Sequence, residues 1–289
     1  MRRMRVHAHA KVNLTLEVFG TRRDGYHALR SVVLPVSLCD TLEVEAADGL
    51  VCDTGYPDDL CLKAARVLSG NRFGVGARIS VTKRIPVGGG LGGGSADAAA
   101  TLRALNELWG LGLSREELAD IGAQVGSDVP ALVLGDPVLM EGRGETVTRI
   151  AGGRELPPLH LVLVNPGVFS STREVYANCA PRPPGDSAGT PEMLAALATG
   201  DVRRIAAALT NDLQEPAMRL HPEIRDALDA LKAAGAVGTL MSGSGSTVFS
   251  LVETEERGRD IAALLSAKGY WAQCVQSVGV EGNGCPAKS

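Results

Sequence analysis

Between Val6 and Val18 apolar and polar positions alternate without a break, with Val6, Ala8, Ala10, Val12, Leu14, Leu16 and Val18 on one side and His7, His9, Lys11, Asn13, Thr15 and Glu17 on the other. A period of two is that of a strand with one buried face, and it sets Lys11 and Asn13 on the same side, roughly 6–7 Å apart, where both can serve one site. The run Ser31 to Leu38 and the alternation from Thr41 to Glu45 predict further strands, with Asp24-Gly25 as a turn signal before them, so the N-terminus reads as a small antiparallel sheet. The spacing then becomes helical over 58–69, where Asp58 and Asp59 sit near the positive end and Leu60, Ala64 and Leu68 share a stripe. A strand (ARISVTK), a run of glycines and a helix carrying Ala98, Leu102, Leu105 and Trp109, closed by Gly110, come next without interruption. Ser114 and Glu117 make a capping box, Asp128-Val129-Pro130 opens a short helix, and 138–150 reads as a hairpin.

From about 155 the pattern restarts. A buried strand (LHLVLVNPG), a helix near 171–178, and a Pro/Gly-rich loop whose Thr190-Pro191 opens another helix lead to helices near 201–209 and 222–234. A glycine turn then runs into a strand, followed by an Ala/Leu-rich helix and a last strand over 271–278. These elements predict an α+β fold with a first domain over 1–154 and a second over 155–279, and the aperiodic 280–289 reads as a disordered tail. With 289 residues, 45% of them hydrophobic, the chain can build proper cores. The formal charge of −4 gives no global attraction to nucleic acid or to an anionic membrane, so any phosphate site must be local. No run of 18 apolar residues occurs and no apolar segment follows the arginines of MRRMR, which predicts a cytoplasmic protein. The six cysteines form no C-x-x-C pair and no His stands at ligand spacing beside them, which predicts reduced thiols.

The glycine run carries most of the chemistry. Gly88-Gly89-Gly90-Leu91-Gly92-Gly93-Gly94 has one side chain in seven residues, so backbone N–H groups can approach a phosphate while the following helix points its positive end at the same place. An isolated glycine run is equally a linker or a tight packing turn, but a linker need not lie between a periodic strand and an amphipathic helix. The match to G-x-G-x-x-G through Gly88, Gly90 and Gly93 is trivial, because a dinucleotide loop follows the first strand of a βαβ unit. There is no G-x-x-x-x-G-K-[ST], H-R-D or D-F-G.

Pro86-Val87-Gly88-Gly89-Gly90-Leu91-Gly92-Gly93-Gly94-Ser95-Ala96 resembles the P-x-x-x-G-L-G-[SG]-[SG]-S-[AS] phosphate motif of the GHMP kinases. Ala10-Lys11-Val12-Asn13-Leu14 is similar to the first motif of that family, and Met241-Ser242-Gly243-Ser244-Gly245-Ser246 to its C-terminal glycine motif, in the same order along the chain. Arg23-Asp24-Gly25-Tyr26-His27, Gly126-Ser127-Asp128-Val129-Pro130 and Glu141-Gly142-Arg143-Gly144-Glu145 resemble the branch acting on 4-diphosphocytidyl-2-C-methyl-D-erythritol, and the likeness covers 5–278. It implies a two-domain fold, ribosomal protein S5 domain 2-like and then ferredoxin-like, working as a monomer or weak homodimer. The implied reaction is transfer of the γ-phosphate of ATP, with Mg²⁺, to the 2-hydroxyl of that small molecule in isoprenoid precursor synthesis.

The resemblance implies that Asp128 is the base and Lys11 its partner, while Pro86, Val87, Gly88, Gly89, Gly90, Leu91, Gly92, Gly93, Gly94, Ser95 and Ala96 hold the phosphates and Asp59 and Leu60 the adenine. Asn13, Tyr26, His27, Thr172, Tyr176, Gly243 and Ser244 would bind the substrate, its cytosine between aromatic rings. The metal ligands stay unassigned. Asp97 suits either the helix dipole or Mg²⁺. Taken singly, Asp128 could be an N-cap, Lys11 a solvated strand residue, Tyr26 a hairpin tyrosine and Tyr176 a core ring. Lys83 and Arg84 read as a solvated charge pair, and Asn211-Asp212-Leu213 resembles a family segment without a physical account. Asp59 stands where the family usually has Asn, and a carboxylate accepts but cannot donate. Another GHMP kinase, of homoserine or mevalonate type, and a non-catalytic nucleotide-binding protein on the same fold are the competing readings.

Overall fold

The computed structural model describes residues 3–22, 25, 27–54, 59–70, 75–150, 157–183, 186 and 189–279. The Asp24-Gly25 turn signal, the role expected of Tyr26 and the tail 280–289 fall wholly or partly outside the described residues. Alternation is realised as two strands rather than one, β1 (Arg3–Asn13) and β2 (Thr15–Thr21), which part at Leu14. The register on the long neighbouring strand β3 (His27–Ala46) shifts between His9 and Lys11, from His9 opposite Cys39 to Lys11 opposite Pro35. The one-sided burial expected of 5–18 does not hold beyond this bulge: Lys11, Asn13, Thr15 and Glu17 are all buried, because one face covers the first core and the other faces the cleft and the second half.

The first sheet is completed by β4 (Leu50–Cys52) and, after helix α1 (Leu60–Ser69), by β5 (Ala77–Thr82). Then come α2 (Gly93–Leu108), α3 (Arg115–Gly122), α4 (Val129–Leu134) and the hairpin β6 (Val138–Gly142) with β7 (Thr146–Arg149). Asp59 caps α1 by accepting from the Leu62 N–H, and the predicted capping box of Ser114 and Glu117 is formed. Alanines at 96, 98, 99, 100 and 104 are buried in α2, whose small side chains let it lie close against the sheet.

The second half runs β8 (His160–Asn165), α5 (Thr172–Ala177), α6 (Gly189–Leu197), α7 (Val202–Ala207), β9 (Thr210–Asn211), α8 (Gln214–Leu220), α9 (Glu223–Ala233), β10 (Gly238–Met241), β11 (Val248–Val252), α10 (Glu255–Ala267) and β12 (Trp271–Gln276). Four of its strands form an antiparallel sheet in the order β10-β11-β8-β12. The fifth, β9, joins the eight-stranded sheet of the first half, pairing in parallel with β2 through Thr15–Thr210 and Leu16–Asn211. Neither β9 nor α8 can be read from the hydrophobic period, because both are too short to show one. Beside β9 the buried Glu17 accepts from Gly189 N at 3.1 Å and Thr190 Oγ1 at 2.7 Å, with Arg182 3.7 Å away. Cys52, Cys61, Cys179 and Cys274 are free thiols, as expected, but Cys39 is disulfide-bonded, which corrects the expectation of reduced thiols throughout. No helix among the described residues is long and apolar enough to cross a membrane.

Candidate active site

Strand β1, the glycine loop, the starts of α1, α4 and α5 and the turn between β10 and β11 enclose a cleft of about 530 Å³. The loop has positive φ at Gly88 (67°), Gly90 (74°) and Gly92 (69°), a backbone region that L side chains avoid. Close approach demands glycine as well: a Cβ on Gly90 would lie 2.1 Å from the Ser242 carbonyl oxygen, and one on Gly88 2.5 Å from the Phe169 ring. The loop carbonyls are taken up, Gly89 O by Thr247 N at 3.1 Å, Gly90 O by Ser242 Oγ at 3.0 Å and Leu91 O by Lys11 N at 3.0 Å. Among the described residues no N–H from Gly88 to Ser95 finds a protein acceptor, and these unpaired donors precede and open a 16-residue helix. Ala96 lies just behind, buried, its N–H closing the first turn on Gly92 O, so it supports the loop without lining the cleft.

Lys11 and Asp128, which are 117 positions apart, meet at the loop's far end with Lys11 Nζ 3.4 Å from Asp128 Oδ2. The ammonium also donates to Asn13 Oδ1 at 2.6 Å, and Asn13 Nδ2 donates to Ser31 Oγ at 2.8 Å, so the lysine that alternation would leave in solvent is 4% exposed. One of its three N–H groups remains for a ligand. Asp128 precedes α4 in the helical region and its side chain makes no cap hydrogen bond, which removes the N-cap alternative and leaves the carboxylate for Lys11 and the cleft.

The other wall is formed by Thr172, Tyr176, Gly243 and Ser244, with Thr172 Oγ1 and Ser244 Oγ 2.8 Å apart. Burial, with Asp128 adding to it, pushes the Tyr176 hydroxyl pKa well above its ordinary value. The Tyr176 ring stacks on His27, centroids 5.6 Å apart and planes 22° from parallel, and His27 Nδ1 is buried without a partner. At the opposite end Asp59 and Leu60 line the cleft, and Leu60 Cδ1 would stand 3.5 Å from a Cβ on Gly94.

Sequence reasoning misses three things. Lys83 is no solvated residue: it bridges Asp97 Oδ2 at 2.6 Å and the wholly buried Asp40, whose other oxygen accepts from Arg84 N and Ile85 N. Burial acts to lower the Lys83 pKa, but the two carboxylates outweigh it and raise it. Burial likewise pushes Asp97 up to about 7 against the pull of Lys83, and its Oδ1 is buried without a partner on the cleft wall. The second is Phe169, 68% exposed over Gly88, in a segment without periodicity to reveal it. The third is Asn211, whose Nδ2 donates to Met241 O at 2.7 Å and Gly243 O at 2.8 Å, so the segment 211–213 clamps the C-terminal glycine turn.

The profile of the GHMP kinases N terminal domain matches residues 59–136 and that of the GHMP kinases C terminal matches 193–270. A 4-diphosphocytidyl-2-C-methyl-D-erythritol kinase of Brevibacillus brevis is 43% identical over 88% of this chain and 89% of its own, and one of Symbiobacterium thermophilum is 44% identical over 88% and 93%. A crystal structure of 4-(cytidine 5'-diphospho)-2C-methyl-D-erythritol kinase superposes with a TM-score of 0.81 at 36% identity, covering 96% of this chain and all of that one. Homoserine kinase from Cytophaga hutchinsonii, at 19% identity and a TM-score of 0.75 over 96% and 95% of the two chains, shares the fold. With a glycine cradle, a Lys11–Asp128 pair and both halves matched in order, the chain belongs to the GHMP kinases and, within them, to the 4-diphosphocytidyl-2-C-methyl-D-erythritol kinases.

Proposed function

We infer that this chain is an ATP-dependent kinase that transfers the γ-phosphoryl group to the 2-hydroxyl of 4-diphosphocytidyl-2-C-methyl-D-erythritol, a cytoplasmic step in making isoprenoid precursors. The observation that carries the reading is the Lys11–Asp128 contact at the end of a cradle of unpaired backbone N–H groups. The N–H groups from Gly88 to Ser95 receive the nucleotide phosphates, and the helix end behind them favours their negative charge. Asp59 and Leu60 hold the adenine end, where the carboxylate accepts from the purine amino group.

The acceptor is a tertiary alcohol, a poor nucleophile, so the site must place it in line with the phosphorus and take its proton. Asp128 Oδ2 accepts that proton as the O–P bond forms, and the free N–H of Lys11 steadies the attacking oxygen or a phosphoryl oxygen. Asn13, oriented by Ser31 and Lys11, keeps one amide N–H for a hydroxyl of the methylerythritol unit. Tyr176 and His27 offer a ring face and an unsatisfied nitrogen to cytosine, with Tyr26 beside them in sequence, while Thr172, Gly243 and Ser244 line the path between base and sugar alcohol. Mg²⁺ neutralises phosphate charge in such transfers, and Asp97, with one buried oxygen free on the cleft wall, fits as a carboxylate that would hold it. Every group named comes from one chain, so the reading needs no second subunit.

ATP turnover measured with the cytidyl substrate, homoserine and mevalonate tests the reading. Turnover is expected with the first alone, and its absence there rejects the proposal in favour of another kinase or a non-catalytic nucleotide binder. Asp128→Asn is expected to lower kcat roughly 10²–10⁴-fold while nucleotide affinity holds, and loss of both would make Asp128 a structural residue.

A further inference from the structure

We propose that Cys52, Cys61 and Asp59 form a binding site for a soft divalent metal ion, Zn²⁺ by chemistry, that clips the end of β4 to the first turn of α1. Among the described residues one group of three metal-ligating side chains converges, and it is this one, its sulfur and oxygen atoms all within 4.8 Å of one another. Around a tetrahedral Zn²⁺ such atoms stand roughly 3.5–3.8 Å apart, so the present spacing closes on a metal by small side-chain rotations. Two thiols and a carboxylate select zinc over Mg²⁺, whose preferred ligands are oxygens.

Asp59 is oriented for this. Its Oδ1 accepts from Leu62 N at 2.9 Å and its Oδ2 from Thr54 Oγ1, which fixes the carboxylate at the helix start and leaves lone pairs on both oxygens. A second observation points the same way from α2. The Thr101 hydroxyl is wholly buried, makes no hydrogen bond of ordinary geometry, and faces Cys61. Asp59 and Cys61 line the cleft, so an atom from solvent or a bound molecule can take the fourth position. Binding displaces one proton from each thiol to solvent and changes no oxidation state. This site goes beyond the kinase reading and does not depend on which alcohol is phosphorylated, but it draws on Asp59, so the metal and the adenine amino group compete for that carboxylate.

Titration of the full-length, reduced protein with Co²⁺, followed by thiolate-to-cobalt charge-transfer absorption in the near ultraviolet, tests it. One equivalent is expected to bind, to be displaced by Zn²⁺, and to lose its charge-transfer band by at least half in Cys61→Ser and in Cys52→Ser, the second at a less buried position than the first. Cys179 and Cys274, and Cys39 once its disulfide is reduced, are retained in both variants and report thiolate binding elsewhere. A band that is absent in the wild type or that persists unchanged in both variants overturns the proposal. So does a Zn²⁺-induced rise in Tm that is equal in wild type and Cys52→Ser.

Discussion

The chain contains two glycine-rich segments that look alike in sequence and do opposite work. The first turns the carbonyls of Gly89, Gly90 and Leu91 toward the rest of the protein and, among the described residues, leaves the N–H groups of 88–95 unpaired at the start of α2, while 241–247 gives the Ser242 hydroxyl and the Thr247 N–H to holding the first segment still. Ser242, Ser246 and Thr247 are wholly buried, and Asn165 Nδ2 pins Thr247 Oγ1 at 2.9 Å. A glycine run is thus a cradle when a helix end stands behind it and a buttress when a strand does. Composition does not separate the two cases; the next element along the chain does.

The difference can be broken most severely at Gly90. Ala there meets both the positive φ and the Ser242 carbonyl, so Gly90→Ala is expected to cost about 3 kcal/mol or more, a Tm lower by roughly 6–12 °C in thermal denaturation, with activity falling alongside. Asn211→Ala removes the clamp from the buttress alone; it strands the Met241 and Gly243 carbonyls and is expected to cost about 2–3 kcal/mol, read by urea unfolding, with kcat falling because Gly243 packs against Lys11.

A smaller effect concerns the foot of the cradle. The folded Asp97 carboxyl is raised to about 7, so between about pH 4 and 7 the native state holds a proton that the unfolded chain has released, and wild-type stability falls as pH rises through that window. Asp97→Asn does not titrate, so its Tm minus that of wild type is expected to grow by about 2 °C or more from pH 4 to 7, and a difference flat in pH would refute the assignment. The smallest effect on stability and the sharpest on the comparison belongs to Gly94, where an added Cβ meets only Leu60 at 3.5 Å in a helical backbone. Gly94→Ala is expected to leave stability level or to improve it by up to about 1 kcal/mol, yet to raise the KM for nucleotide about tenfold as the methyl crowds the phosphates.

The parts of this arrangement written in local patterns were legible in the sequence: the strand that carries Lys11 and Asn13, the capping box at Ser114, and the strand, loop and helix around Gly90. The meeting of Lys11 with Asp128 was implied by family likeness and not by spacing, since 117 positions separate them. What periodicity misread depends on the same kind of distant neighbour. Lys83 passes for a surface residue until β3 brings Asp40 beneath it, and Glu17 until Arg182 and Thr190 close over it. A polar residue's burial is set by partners that its own segment does not contain.

The two-residue strand β9 bears on how the protein is made. It is the neighbour of β2 opposite β3, and the chain supplies it only after β8 and three helices of the second half have been laid down. On the ribosome, therefore, β2 emerges with a bare hydrogen-bonding edge, and Glu17 emerges without the Gly189, Thr190 and Arg182 groups that later satisfy it. The sheet bearing Lys11 waits for synthesis to reach Asn211 before that edge is sealed, which makes the completion of that sheet an event of late translation.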